Sequence, residues 1–336
     1  MDLHDFFKTV TLPLTIAQAL GDCLQKMVDA GLDTLPLPGS GHTLERWQRL
    51  AFVAGNDLGL CKLYEGHTDA LATLQELGAQ RPPAGSTWGL WAAEPPNARV
   101  QVRRSHGQTV LNGRKSWCSG AAVVSHGLLT AWDEHGAVQL VAVEMHQPQI
   151  SITAHGWEAV GMSATASLDV HFEQAPAVCI GGPGDYLQRP GFWQGAIGIA
   201  ACWHGAASAL AHTLQLHCSQ RGDPHALAHL GAVNAALFSA TCVFAEAARQ
   251  VDDAPTGDAQ LLARQTRAHV EACVEQVIAH VGRALGAGPY CKNPHFARLS
   301  ADLPVYLRQS HAERDLQVLG EQAILLPESR WVPMVA

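Results

Sequence analysis

The order in which residue periodicities change along the chain restricts the fold more than any single motif. Residues 3–78 carry apolar side chains at helical spacing: Leu50, Val53, Ala54 and Leu58, then Leu71, Leu74 and Leu77. Leu35-Pro36-Leu37-Pro38-Gly39 interrupts this region. Between Gly78 and Gly89, the run Arg81-Pro82-Pro83-Ala84-Gly85 is too rich in breakers for a helix to continue. The period then changes. Short β-prone runs at 100–102, 109–111, 121–124, 138–143, 150–153 and 168–172 predict about six strands, with Asn112-Gly113 as a tight turn between the second and third. Gly181-Gly182-Pro183-Gly184-Asp185 closes this stretch.

Helical signals then return. Residues 198–217 are Ala-rich, Asp223-Pro224 offers an N-cap followed by proline at the first helical position, and Val270, Val274, Val277, Ile278, Val281 and Leu285 mark one helix face. At 336 residues the chain has room for two or three domains. The expected segments are helical at 1–84, β at 85–180 and helical again at 186–336. The fold class is therefore α+β.

Composition removes several functions. The formal charge is −8, with 22 Lys+Arg against 30 Asp+Glu and no basic block, so a nucleic-acid partner is not expected. No uncharged apolar run approaches about 18 residues, and the amino terminus carries Asp2 and Asp5 where a secretory leader would be basic. A soluble, cytoplasmic protein without a membrane partner is the expectation. Nine cysteines lack any Cys-x-x-Cys pair and read as small hydrophobes rather than a disulfide or zinc framework. His225 and His229 are four apart on an expected helix, but no third ligand is evident, so no metal site is expected.

Within the β segment, Leu111-Asn112-Gly113-Arg114-Lys115-Ser116-Trp117-Cys118-Ser119-Gly120 resembles the acyl-CoA dehydrogenase sequence Leu-Asn-Gly-x-Lys-x-Trp-Ile-Thr-Asn-Gly. Upstream, Ala93-Glu94-Pro95 is similar to that family's Thr-Glu-Pro loop. Downstream, residues 156–163 resemble its strand leading to the substrate cleft. Arg221 and the run Leu285-Gly286-Ala287-Gly288-Pro289-Tyr290 match its helix-hairpin arginine and Gly-rich turn. The resemblance covers roughly residues 85–320. It implies a helical amino-terminal region, a β-barrel-like middle domain and a carboxyl-terminal four-helix bundle. It also implies bound FAD, contacted by Ala93, Glu94, Trp117, Cys118, Ser119, Arg221, Gly286 and Ala287, in a homodimer or homotetramer that shares cofactor sites.

Each residue also has a chemical reading. The Trp117 indole could pack on an isoalloxazine face, Ser119 could donate to the flavin edge, and Arg221 beside a helix start suits a pyrophosphate. After Pro95 the chain lacks the family's Gly-x-Gly-Ser-Asp loop.

The family's catalytic glutamate is also missing. With Ala301-Asp302 aligned to its Arg-Asp pair, Ser310-His311-Ala312 stands where Glu-Gly-Thr would be. The alternative position on an earlier helix falls near Gln194-Gly195, again without a carboxylate. Residues 308–315 read as helix, placing Arg308, His311 and Asp315 on one face. The spacing Arg-x-Ser-His-x-x-x-Asp is similar to the carboxyl-terminal His motif of monooxygenases sharing this fold. The candidate catalytic residues are His311, Ser310 and Glu313, the last as a displaced base. Three functions remain open: a flavin oxidoreductase on an acyl thioester presented by coenzyme A or a carrier, a monooxygenase using His311, and a binder of acyl groups without turnover.

Overall fold

A computed structural model describes residues 1–105 and 108–325 of the chain. Four helices come first: α1 (Leu3–Phe7), α2 (Ala17–Asp29), α3 (Thr43–Asn56) and α4 (Leu58–Glu76). Asp57 caps α4 by accepting the Leu60 N–H, and burial on nearly every face makes α4 a central helix rather than an amphipathic surface one.

Eight strands follow: β1 (Trp88–Trp91), β2 (Val100–Ser105), β3 (Gln108–Cys118), β4 (His126–Trp132), β5 (Val138–Glu144), β6 (Ile150–Ile152), β7 (Leu168–Pro176) and β8 (Val178–Ile180). They form one sheet in the order β6-β7-β3-β2-β4-β5-β8, with β1 beside β4. Three expectations need correction. Residues 121–124 form turns, and the strand lies at His126–Trp132. Asn112-Gly113 is no turn but lies inside β3, which pairs antiparallel with β2 from Val100↔Gly113 to Ser105↔Gln108. There Gly113 has φ 117°, and a Cβ on it would meet Arg99 O at 2.2 Å, so the glycine is required by a close strand approach. Residues 156–163 are irregular, not a strand, and lead into a 3₁₀ turn at Ser163–Thr165.

The rest is helical: α5 (Asp185–Gln188), α6 (Pro190–Gln220), α7 (Pro224–Asp253), α8 (Gln260–Leu285), α9 (Ala287–Lys292), α10 (Pro294–Leu307) and α11 (Glu313–Ile324). Asp223 accepts the His225 and Ala226 N–H groups and Pro224 opens α7, as the sequence leads one to expect. Val270, Val274, Val277 and Val281 bury one face of α8 against α6 and α7. The main core runs from Phe6 through Trp47, Tyr64, Leu111 and Phe172 to Trp203 and Leu307, and a smaller one joins α4 to the other side of the sheet through Ala70, Leu74, Trp88, Leu128, Leu140 and Tyr186. Six cysteines are buried and three (Cys179, Cys242, Cys291) are exposed; all nine are free thiols.

Candidate active site

A cleft of about 840 Å³ opens where α4, the β3 end, α5, α6, α8 and the α10–α11 junction meet. Seven aromatic side chains line it, Trp91, Trp117, Trp157, Tyr186, Phe192, Trp193 and Tyr306, interleaved with charged groups from the helices. Trp117, the last residue but one of β3, has φ 60° and is 51% exposed. A left-handed tryptophan costs about 1–2 kcal/mol, and Met162, Ala166 and Ala312 share positive φ on segments in or beside the same cleft. Of the five described non-glycine residues with positive φ, four thus lie at or beside this cavity, and the fifth, Gln174, is on β7.

Ser119, Thr165 and Ser167 line the β side of the cleft in a hydroxyl chain. Ser119 Oγ lies 2.7 Å from Ser167 Oγ, Ser167 Oγ lies 2.9 Å from Thr165 Oγ1, and Thr165 Oγ1 donates to Met162 O at 2.7 Å. Trp91 Nε1 donates to Ser119 O at 3.1 Å and fixes the backbone there.

On the α4 wall, Lys62 Nζ donates to Glu65 Oε2 at 2.7 Å, and the Tyr306 hydroxyl approaches the same oxygen at 3.4 Å. Burial alone would pull the Lys62 ammonium down, but Glu65 beside it holds it above its ordinary value. Burial, with Cys202 and Glu65 nearby, pushes the Tyr306 phenol up, so it stays protonated. One turn further along α4, Asp69 lines the cleft and makes no hydrogen bond among the described residues. A Cβ on Gly195 of α6 would sit 3.0 Å from Asp69 Oδ1. The carboxylate therefore occupies the space left by the missing side chain at the alternative base position.

The opposite wall carries the bend between α10 and α11. Residues 308–315 do not form one helix: α10 ends at Leu307, Ala312 takes φ 44°, and α11 starts at Glu313. The reason is tertiary. Arg308 is drawn to Glu271 and Glu275 on α8, each at 3.0 Å, and Ser310 Oγ accepts the Ala312 N–H at 3.0 Å as a local cap. Arg267 donates to Gln309 O at 3.1 Å and to Ala196 O at 2.7 Å, with its guanidinium 4.8 Å over the Trp203 ring. Arg264 pairs with Asp315 and lies 4.8 Å over Trp193. Asp315 Oδ2 accepts the His311 N–H at 3.2 Å and lies 3.8 Å from its Nδ1. His311 is thus held over the cleft by a carboxylate that is itself held by an arginine.

Of the expected site residues, Ala93, Trp117, Ser119 and His311 line this cleft, whereas Ser310 and Glu313 do not. Glu94 turns away: its carboxylate takes Lys115, Thr130 and the Trp132 Nε1–H at 2.9 Å. Cys118 points into the core, its thiol pushed up by burial, so only its backbone is near the site. Arg221 caps the far end of α6, about 35 Å along the helix from Ala196 at its rise per residue. Gly286 and Ala287 end α8 at that same distant side. Lys62, Glu65, Asp69, Arg264 and Arg267 were not among the expected residues. Their only sequence signal is charge on otherwise apolar helices, and charge alone does not say which face is buried.

Among solved structures, methanesulfinate monooxygenase MsuC from Pseudomonas fluorescens superposes with TM-score 0.75 at 20% identity, covering 95% of this chain and 98% of its own. Nitrososynthase from Micromonospora carbonacea var. africana gives TM-score 0.81 at 17% identity, covering 96% and 95%. TdsC from Paenibacillus sp. A11-2, in complex with FMN and indole, gives 0.77 at 17%, covering 92% and 96%. No protein-family model and no curated protein matches the sequence.

Proposed function

We propose, from the premise that this chain has the acyl-CoA dehydrogenase fold, that it is a flavin-dependent monooxygenase for an uncharged, largely aromatic small molecule. The observation that carries this reading is His311, which stands at the missing glutamate's position on a bend stapled to α8 through Asp315 and Arg264. An imidazole can both give and take a proton, and Asp315 holds the His311 backbone N–H with its Oδ2 3.8 Å from the ring Nδ1. Solved structures of the same fold include a methanesulfinate monooxygenase and a protein holding FMN with indole.

The cleft fits a flavin. It offers the flat Trp117 indole, a polar hydroxyl edge at Ser119, and volume for a second small molecule. When bound, the flavin would supply two electrons and the activation of dioxygen. The chain's own residues would then exclude water with aromatic walls and move a proton at the His311 imidazole. The net reaction joins substrate, dioxygen and reduced flavin into oxygenated product, water and oxidised flavin.

Substrate charge follows from the walls. Lys62 has Glu65, Arg189 has Glu76, Arg264 has Asp315, and Arg308 has Glu271 and Glu275. Arg267 is committed to carbonyl oxygens. Among the described residues lining the cleft, every cation is thus engaged within the chain, which supports an uncharged substrate there and leaves a flavin phosphate to groups outside this part of the cleft. The flavin in this reading is FMN, the flavin held by TdsC in the same fold; Arg221, Gly286 and Ala287 lie too far along the bundle to touch a cofactor in their own cleft. They could serve only a neighbouring copy, so the reading includes a homo-oligomer.

A second reading rests on Asp69, whose carboxylate fills the space beside Gly195 and could act as the displaced base of an acyl-group oxidation. One experiment separates the two. Protein reconstituted with FMN or FAD is mixed anaerobically with an acyl-CoA panel, then separately with a reductase, dioxygen and indole or other uncharged heteroaromatics. Oxygenated product, lost by at least about 100-fold in His311→Ala with flavin still bound, is the expected result. Bleaching by acyl-CoA without oxygenation would overturn it in favour of Asp69.

A further inference from the structure

We propose that α7 and α8 bind a zinc ion between them, with His229, His280 and His225 as its ligands. This site lies outside the cleft and does not rest on the flavin reading. Ser239 of α7 meets His269 of α8, and His229 meets His280, so the two helices run antiparallel. The first turns of α7 therefore face the last turns of α8.

His229 and His280 are both half-buried in this seam. Their Nδ1 atoms lie 2.8 Å apart, with ring centroids 5.1 Å apart and the rings tilted by 59°. Each Nδ1 carries either a lone pair or one hydrogen. Two facing lone pairs repel, so something positive has to lie between them: a hydrogen carried by one ring, or a metal ion bound by both. A hydrogen satisfies the pair and asks for nothing further. What points to a metal is the third imidazole. His225 stands one turn before His229, and side chains four apart on a helix have Cβ atoms about 5–6 Å apart on one face. Its ring is exposed and makes no hydrogen bond among the described residues. His280 is thus the third donor that the spacing of His225 and His229 leaves missing.

Neutral imidazole is a common zinc ligand, and three of them with a water in the fourth position complete a tetrahedral site. Zn–N bonds of about 2.0–2.1 Å set two ligand nitrogens roughly 3.3 Å apart, so the His229 and His280 rings need to part by only about 0.5 Å. His225 has to swing in, because among the described residues no three His, Cys, Asp or Glu side chains already surround one point. An exposed side chain is free to make that move. Other donors stay out. Cys273 and His269 contact each other at 3.4 Å and share Ser239, and Cys273 lies about 10 Å along α8 from His280. Asp223 is spent on the N–H groups of His225 and Ala226. The ion would cross-link α7 and α8 at the end of the bundle that carries Arg221, Gly286 and Ala287.

The test titrates untagged protein with zinc chloride against a chromophoric chelator, after alkylation of the exposed thiols Cys179, Cys242 and Cys291. One zinc per chain is expected. Loss of even an outer-shell partner costs about 10- to 100-fold in metal affinity, so His225→Ala, His229→Ala and His280→Ala should each weaken binding by at least about 10-fold. His135→Ala, which alters an exposed turn histidine, should bind as the wild type does. Zinc should also raise the melting temperature of the wild type and not of the three ligand variants. Far-UV circular dichroism checks folding, and the exposed His225 decides the matter if either half-buried variant fails to fold. A wild type that binds no zinc, or affinity unchanged in His225→Ala or His280→Ala, would overturn the site. Equal weakening in His135→Ala would overturn it too, as scattered binding to surface histidines.

Discussion

Asp302 carries the most legible effect of burial on a single side chain. It accepts the Met162 N–H at 2.5 Å, lies 3.8 Å from Arg298 and is 1% exposed. Burial outweighs these partners and pushes its carboxyl up to about 6, from 3.8. Because the folded value lies above the unfolded one, this group's stabilising contribution is fully present below about pH 4 and lost as pH rises through about 6. Asp302→Asn keeps an acceptor for Met162 and removes the titration. The melting temperature of this variant relative to wild type should therefore rise between pH 4 and pH 7, by the equivalent of at most about 3 kcal/mol. A constant difference across that range would show that Asp302 does not titrate there. The same residue supports the Met162 turn, so its charge bears on the hydroxyl chain at one remove. The match of Ala301-Asp302 to the family's Arg-Asp pair was visible in sequence, but its partner was not, because Met162 is 140 residues away.

At the scale of elements, the bundle depends on close helix approach. A Cβ on Gly205 of α6 would meet Ala51 O of α3 at 2.0 Å, and one on Gly55 would meet Gly205 O at 3.2 Å. Gly205→Ala must push α3 and α6 apart and should cost about 1–3 kcal/mol, read as a lower denaturation midpoint with unchanged slope. An unchanged midpoint would mean that the helices do not pack this closely. The amphipathic pattern of α8 and the Asp223-Pro224 start of α7 were legible because their causes are local. The strand at 126–132 was missed because its run Gly127-Leu128-Leu129 in His126–Trp132 is buried almost throughout, and a buried strand loses the period of two. The break at 308–312 was missed for another reason: helical propensity is weak against ion pairs and carbonyl bonds supplied by α8.

At the scale of the whole molecule, the expected cofactor residues divide into two groups at opposite ends of the bundle. Trp117 and Ser119 line the cleft, while Arg221, Gly286 and Ala287 lie far from it. The outer face of α7 between them exposes Leu227, Gly231, Ala235, Phe238 and Cys242, with Phe238 70% exposed. An uncharged stripe of this length is where the proposed homo-oligomer is expected to make its contact. Multi-angle light scattering should give a multiple of the chain mass, and Phe238→Asp should lower it. A monomeric wild type would remove the homo-oligomer and leave Arg221 without a cleft to serve. What the sequence determined alone was the succession of helical, β and helical segments, and the Trp117-Cys118-Ser119 segment of the cleft, since periodicity, breakers and caps act between near neighbours. Tertiary structure decided the rest: the bend that presents His311, the placing of Asp69 beside Gly195, and the hydroxyl chain behind Ser119. Each of these depends on groups far apart in the chain, 51 residues for Arg264 with Asp315 and 48 for Ser119 with Ser167, and only the folded backbone brings them within hydrogen-bonding reach.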